Sequence, residues 1–395
     1  MNIYVFEDGR FSDFFPISST RAVFDIRFGR LTFLEQIIKL FPEDHISLIV
    51  RDDIKEIVAE RHPNLDVNPK HYEDGIWILG SVVWSKDDIK NISAHNTAFI
   101  DSDRLVAANI SSLIGGNWFH KGGPVECQLN DVKLESINVN QCNYLWDIIG
   151  SINKTIEQDV IDLNAIDIDD YSKINLSNPD QIYIDDANIM PGALINAEKG
   201  PVIIDKNAYV YGQTYIEGPV YIGSNTIVGP MSKIRNSVIG NNCKIGGEVE
   251  SSVFQSFSNK VHEGHIGDSF IGEWVNLGAG TSNSNLKNNY NSVKVLVNDK
   301  LIDSNSIHIG CFIGDHVKTA IGTLIKTGSV INTASMISSH GFAPNYLPPF
   351  SWYVDKKLEK MDFNKFLSTA QKVKERRNMT FTSAEKALYE KIALN

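Results

Sequence analysis

Ile204, Val210, Ile216, Ile222, Val228 and Ile234 recur at an unbroken spacing of six, and no feature of the chain restricts its fold more. After a one-residue slip the series continues at Ile239 and Ile245, returns at Ile266, Ile271 and Leu277, and resumes at Ile313, Ile325, Ile331 and Ile337, with Thr319 in the missing place. A period of six matches neither the 3.6 of a helix nor the two-residue alternation of an ordinary strand. It matches a triangular solenoid with one short strand on each face, a left-handed parallel β-helix of hexapeptide repeats. The aliphatic residue fills the narrow bore. Glycines that follow it (Gly223, Gly229, Gly240, Gly267, Gly272, Gly278, Gly314) are expected to turn the corners with positive φ.

The first 160 residues read differently. Ile3–Phe6, Ile46–Val50, Ile76–Leu79 and Thr97–Ile100 are strand candidates, and 32–40 and 143–158 have helical spacing. Strand, helix, strand in so short a span is the βαβ signature of a parallel sheet. The chain therefore divides into an α/β domain at 1–160, an Asp-rich linker at 161–181, a β-helix at 182–345 and a tail at 346–395. The tail predicts two helices, the second announced by the capping box Thr382-Ser383-Ala384-Glu385. Residues 281–306 interrupt the repeat and must leave it as a loop or hairpin.

Composition excludes some functions. The formal net charge of −11 over 395 residues argues against nucleic acid as a partner. No apolar run reaches membrane-spanning length, and the N-terminus enters a strand pattern with no basic leader. Cys127, Cys142, Cys243 and Cys311 show no metal spacing and read as reduced thiols, as expected of a cytoplasmic protein.

The stretch KVHEGHIGDSFIGEWVNLGAGTSNSN, Lys260 to Asn285, is the most informative. It resembles the acetyltransferase domain of the bifunctional glucosamine-1-phosphate acetyltransferase / N-acetylglucosamine-1-phosphate uridyltransferase family. The resemblance places His262 on the catalytic histidine, Gly267-Asp268 on a Gly-Asp pair, 275–281 (with Asn276) on the next coil and Asn285 on the loop asparagine. It departs at His265, which stands where a tyrosine contacts the sugar phosphate, and at Leu286, which replaces another tyrosine. The family's coil lysine falls near Glu250 and Ser251. Arg235 and Lys260 are the local cations for a phosphate. The chemistry is consistent: an amine attacking a thioester needs a base of near-neutral pKa. A lone histidine at a corner is otherwise a solvent-facing residue. His265, His308, His316 and His340 have no comparable frame and read as structural.

The opening VFEDGRFSDFFPISSTRAVFDIRFG resembles, in divergent form, the family's nucleotidyltransferase signature. It keeps one loop glycine, Gly9. Arg10 and Arg21 stand near the phosphate-binding positions, and Asp101 and Asp103 near the metal-binding aspartate. The resemblance implies a homotrimer that uses acetyl-CoA, UTP, an amino-sugar phosphate and Mg²⁺ to make UDP-N-acetylglucosamine. Two alternatives remain open: a nucleotidyltransferase with an oligomerising β-helix, and a non-catalytic regulatory protein with both folds.

Overall fold

The computed structural model describes residues 1–119, 132–165, 171, 173–339 and 341–394. Cys127, His340 and much of the expected linker lie outside them. Among the described residues, no helix is long and apolar enough to cross a membrane.

The N-terminal sheet has seven strands, ordered Lys133–Ser136, Thr97–Asp101, Arg104–Ile110, Gly75–Leu79, Asn2–Phe6, His45–Ile49, Asp66–Val67. All neighbours pair in parallel except Arg104–Ile110, which runs antiparallel to both of its partners. Helix Phe33–Leu40 opens with a complete capping box, Thr32 with Glu35, which satisfies two of the orphan N–H groups at its start. The helix expected over 143–158 is two short ones, Leu145–Gly150 and Ile152–Asp159.

The six-residue series forms a three-sided parallel β-helix. The first face stacks 182–184, 202–204, 220–222, 237–239, 253–254, 270–271, 311–313, 329–331 and 346–347. The second carries Tyr209, Ile227, Lys244, Asn259, Asn276, Lys318, Met336 and Trp352 in one outward row. The third carries 215–217, 233–235, 248–250 and 265–267, then 282–283, 324–325 and 342. The periodic aliphatics fill the bore as one core. The solenoid begins earlier than the sequence suggests, since Asn175–Ser177 already pairs with Leu194–Asn196. It also ends later: Ser351–Val354 pairs with Met336–Ser338, and a hairpin to Lys357–Lys360 precedes the helices Phe363–Glu375 and Ser383–Leu394.

The corner glycines correct one expectation. Gly223, Gly240, Gly272 and Gly314 do not have positive φ. Asn207, Asn225 and Asn242 take that conformation instead, with φ of 58°, 57° and 59°, as asparagine tolerates it. Glycine is needed because stacked coils nearly touch: a Cβ on Gly240 would lie 2.0 Å from the Gln255 carbonyl oxygen.

On the first face the residue before each bore-filling aliphatic is also apolar. Ile203, Tyr221, Val238, Val253, Phe270, Phe312 and Val330 point outward, and all are buried in the core of the N-terminal domain. Each such side chain contributes about 1.5–3 kcal/mol by leaving water. The two folds therefore share one interior. The interrupting segment joins it too. Its hairpin, Lys294–Val297 with Lys300–Asp303, buries Val293, Val295 and Val297 there, and its turn residue Asn298 donates to Ser12 Oγ (2.9 Å) and Asp13 Oδ1 (2.8 Å). That tip reaches the chain's own N-terminal domain.

Candidate functional site

His262 lies exposed in the turn between the second-face strand Asn259–Lys260 and the third-face strand His265–Gly267. Two features fix this corner. Gly264 sits at φ +127°, and a Cβ there would meet the Thr281 carbonyl oxygen at 2.1 Å, so only glycine fits. Lys260 occupies a bore position in register with Ile245 and is 2% exposed. Its Nζ donates to the carbonyl oxygens of Gly246 (2.8 Å) and His262 (2.9 Å). Burial pushes its ammonium down to about 8. Lys260 is thus a positioning residue that holds the backbone of His262. It faces the bore, while the phosphate it was expected to bind would lie at the surface.

His265 and Asn285 converge. A Cβ on Gly267 would lie 2.6 Å from His265 Nε2 and 2.9 Å from Asn285 Nδ2. Asn285 Nδ2 donates to Asp268 Oδ2 (2.6 Å), and burial pushes the Asp268 carboxyl upward. Asn283, beneath them, clamps both the N–H and the carbonyl of Gly267. His265 Nδ1 is 3.8 Å from Glu248. Arg235 shares this face, yet its guanidinium is already paired with Glu248 (2.6 Å) and Glu250 (2.9 Å). A phosphate at Arg235 would have to displace two carboxylates, so the structure presents no ready phosphate site there. Asn276 is exposed on the second face, away from Arg235, His265 and Asn285. The acids Glu248 and Glu250 escaped the sequence reading. Their signal was present in the alternation Glu248-Val249-Glu250, two outward acids flanking a bore residue.

The N-terminal candidates separate as well. Gly9, Arg10 and Asp103 meet at the carboxyl ends of the parallel strands, where ligands of open α/β sheets bind. Arg10 Nη2 lies 2.8 Å from Asp103 Oδ2, both exposed, and a Cβ on Gly9 would meet nothing within 4 Å. Asp101 is committed to structure: its carboxylate accepts from Val139 N and Ser102 Oγ. Among the described residues no group of three or more acids, histidines or cysteines gathers as metal ligands, so Asp101 and Asp103 as placed do not make a Mg²⁺ cage.

Arg21 is buried at the contact between the two folds. It is 1% exposed and bridges the two folds, with Nη1 3.2 Å from Glu273 Oε1 and Nη2 bonded to Asp315. Thr20 Oγ1 donates to the same Asp315 carboxylate (2.6 Å). Arg27 donates twice to Gln255 (2.9 and 2.9 Å). The end of the loop expected to cradle nucleotide phosphates is a wedge between domains. No phosphate reaches Arg21 unless that wedge opens.

Residues 3–165 match the family model described as sugar nucleotidyl transferase. The chain is similar to a bifunctional sugar-1-phosphate nucleotidylyltransferase/acetyltransferase of Sulfurisphaera tokodaii, at 38% identity over 35% of this chain and 35% of that one. It is also similar to the bifunctional protein GlmU of Bartonella bacilliformis (28%, over 52% and 44%) and of a Picosynechococcus species (27%, over 60% and 65%). It thus spans from about a third to about two thirds of the relatives it matches. An Arabidopsis UDP-N-acetylglucosamine acyltransferase superposes at a TM-score of 0.23 and 12% identity, over 51% of this chain and 76% of that one, too distant to carry weight. Within the matched span, Gly9, Arg10 and Asp103 stay accessible while Arg21 does not.

Proposed function

We propose that this protein acetylates the amine of an amino-sugar phosphate, glucosamine-1-phosphate, from acetyl-CoA, with His262 as general base. The observation that carries the reading is the pinned corner: an exposed histidine, its backbone held by Lys260, beside a turn where His265 and Asn285 converge. His262 takes a proton from the attacking amine. The nitrogen bonds to the thioester carbonyl carbon, the C–S bond breaks, and the thiolate leaves and is protonated. Asn285 supplies a neutral donor on the same ridge for the oxyanion that develops. The test is thiol release from acetyl-CoA across several amino-sugar phosphates. Absence of release with all of them rejects the reading.

The uridylyl half of the proposal rests on Arg10 and Asp103. Transfer from UTP would seat phosphates near Gly9 and Arg10, and Mg²⁺ would be held by Asp103 and the substrate's own oxygens, in keeping with that ion's preference. Pyrophosphate release from UTP and a sugar phosphate tests it. The burial of Arg21 in the wedge supports the rival reading, in which the N-terminal domain is a scaffold. Assembly as a homotrimer completes the proposal. The N-terminal domain covers the first face and the tail helices cover part of the second, while the third shows Leu324 and Phe342 at 37% and 57% exposure. Closed symmetry is the usual use of such a face. Phe342→Glu is expected to shift sedimentation toward the 44.1 kDa monomer; an unchanged trimer places the interface elsewhere, and a monomeric wild type removes it.

A further inference from the structure

Between the tail and the second face lies a cavity of about 360 Å³, within the range of small-molecule sites. It is separate from the His262 corner, and nothing in the acetyl-transfer reading uses it. One side is β-helix: His316, Lys318, Met336 and Trp352. The other is the start of the tail, including Lys365 and Phe366.

Two polar side chains there lack partners. His316 is 4% exposed, and neither ring nitrogen has a hydrogen-bond partner among the described residues. Its ring stacks on Trp274 and meets Phe366 and Tyr389 edge-on, which leaves the two nitrogens among apolar rings. Burial and nearby cations push it well below its ordinary pKa, so it is neutral. Lys318, half-buried between Asn276 and Met336 on the outward row, has no carboxylate or carbonyl within hydrogen-bond reach among the described residues. Desolvation alone pushes it down to about 8. A cation half-buried without a counter-charge is costly, and the two buried His316 nitrogens are unsatisfied where buried polar groups nearly always find partners. Of the acids lining the cavity, Asp362 is engaged in capping the tail helix, where it accepts from Lys365 N (2.9 Å), and Glu359 is exposed on the closing hairpin.

We propose that this cavity binds a small organic anion with a flat apolar body, the anionic group seated by Lys318 and the body against Met336, Trp352 and Phe366. Lys318 supplies the charge. The apolar walls exclude a bare inorganic ion. A carboxylate and a phosphate satisfy the same group, and the probes distinguish them.

The experiment titrates the full-length protein with indole-3-acetate, phenyl phosphate and inorganic phosphate, read by calorimetry, and repeats the titrations with Lys318→Met and Thr369→Trp, the second filling the cavity from the tail side. Saturable binding of one aromatic anion is expected, with inorganic phosphate weaker by tenfold or more. Both variants are expected to lose at least tenfold in affinity. The preferred probe identifies the anionic group. Lys318→Met is expected to melt no lower than wild type, because it removes an unpaired cation. The proposal is overturned if neither aromatic anion binds, if either variant binds as wild type does, or if Lys318→Met lowers the melting temperature, which would make Lys318 a structural cation.

Discussion

Two corners of the same solenoid have opposite fates. At Glu273 and Asp315 the chain turns from the first face to the second, and Arg21 seals the turn against the N-terminal domain. At His262 it turns from the second face to the third, and the side chain stays in water. The backbone rules are the same: stacked coils, close carbonyls, small residues. What differs is the outward row beside each corner. Along the first face it reads Ile203, Tyr221, Val238, Val253, Phe270, Phe312 and Val330. Beside His262 the third face shows two rows, Arg235 with Glu250 and Glu248 with His265, before the apolar Leu324 and Phe342 of its last coils. An apolar row demands a cover, and the cover converts the adjacent acids into an interdomain lock. A charged row stays open and leaves its histidines free for chemistry.

The contrast breaks most sharply with His262→Ala. Loss of a general base costs roughly 10²–10⁴-fold, so thiol release should fall by that much with an unchanged melting temperature; near-normal release by the folded variant removes His262 from the mechanism. Arg21→Ala strands the Asp315 and Glu273 carboxylates, and breaking a buried pair costs about 3–5 kcal/mol. Chemical denaturation should show that loss, whereas a purely nucleotide-binding Arg21 would leave stability untouched and abolish pyrophosphate release. Lys260→Met should lower kcat for acetyl transfer and cost about 1–3 kcal/mol by orphaning the carbonyls of Gly246 and His262. A stability loss with unaltered kcat would mean the corner does not depend on its anchor.

The smallest effect concerns Asp159 at the domain boundary. It accepts from Arg30 N (2.6 Å), and burial pushes it from 3.8 to about 6. The folded state holds the proton longer than the unfolded one. The charged form therefore weakens the fold as pH rises from about 4 through about 6. Asp159→Asn keeps an acceptor for Arg30 and removes that cost. Its melting temperature should exceed wild type by a few degrees at pH 8 and match it at pH 4; an equal or lower value at pH 8 contradicts the burial argument.

The bore was legible because it obeys a local rule: one aliphatic every six residues. The helix cap at Thr382 was legible for the same reason. Arg21 was not, since its partner Asp315 lies 294 residues away, and an arginine after a first strand suits a phosphate as well as a carboxylate. Lys260 misled similarly. A lysine in a bore position reads as a surface cation unless the register Ile245–Lys260 is known. The apolar doublets of the first face were visible all along as Ile203-Ile204, Tyr221-Ile222, Val238-Ile239 and Phe270-Ile271. Their meaning needed the three-sided geometry, which shows that the first member of each pair faces out.

The shared interior has a consequence for biosynthesis. The N-terminal domain leaves the ribosome first, but the row that completes its core runs from Ile203 to Val330. At about 5–20 residues per second, roughly ten to thirty seconds separate the end of that domain from the last of its partners. Throughout that interval the nascent domain presents an unmet apolar surface, and the solenoid grows onto it one coil at a time, in the order of its stacking. The first half of the chain thus acts as a template on which the second is laid down, and a truncated transcript would release a sticky fragment in place of an independent enzyme.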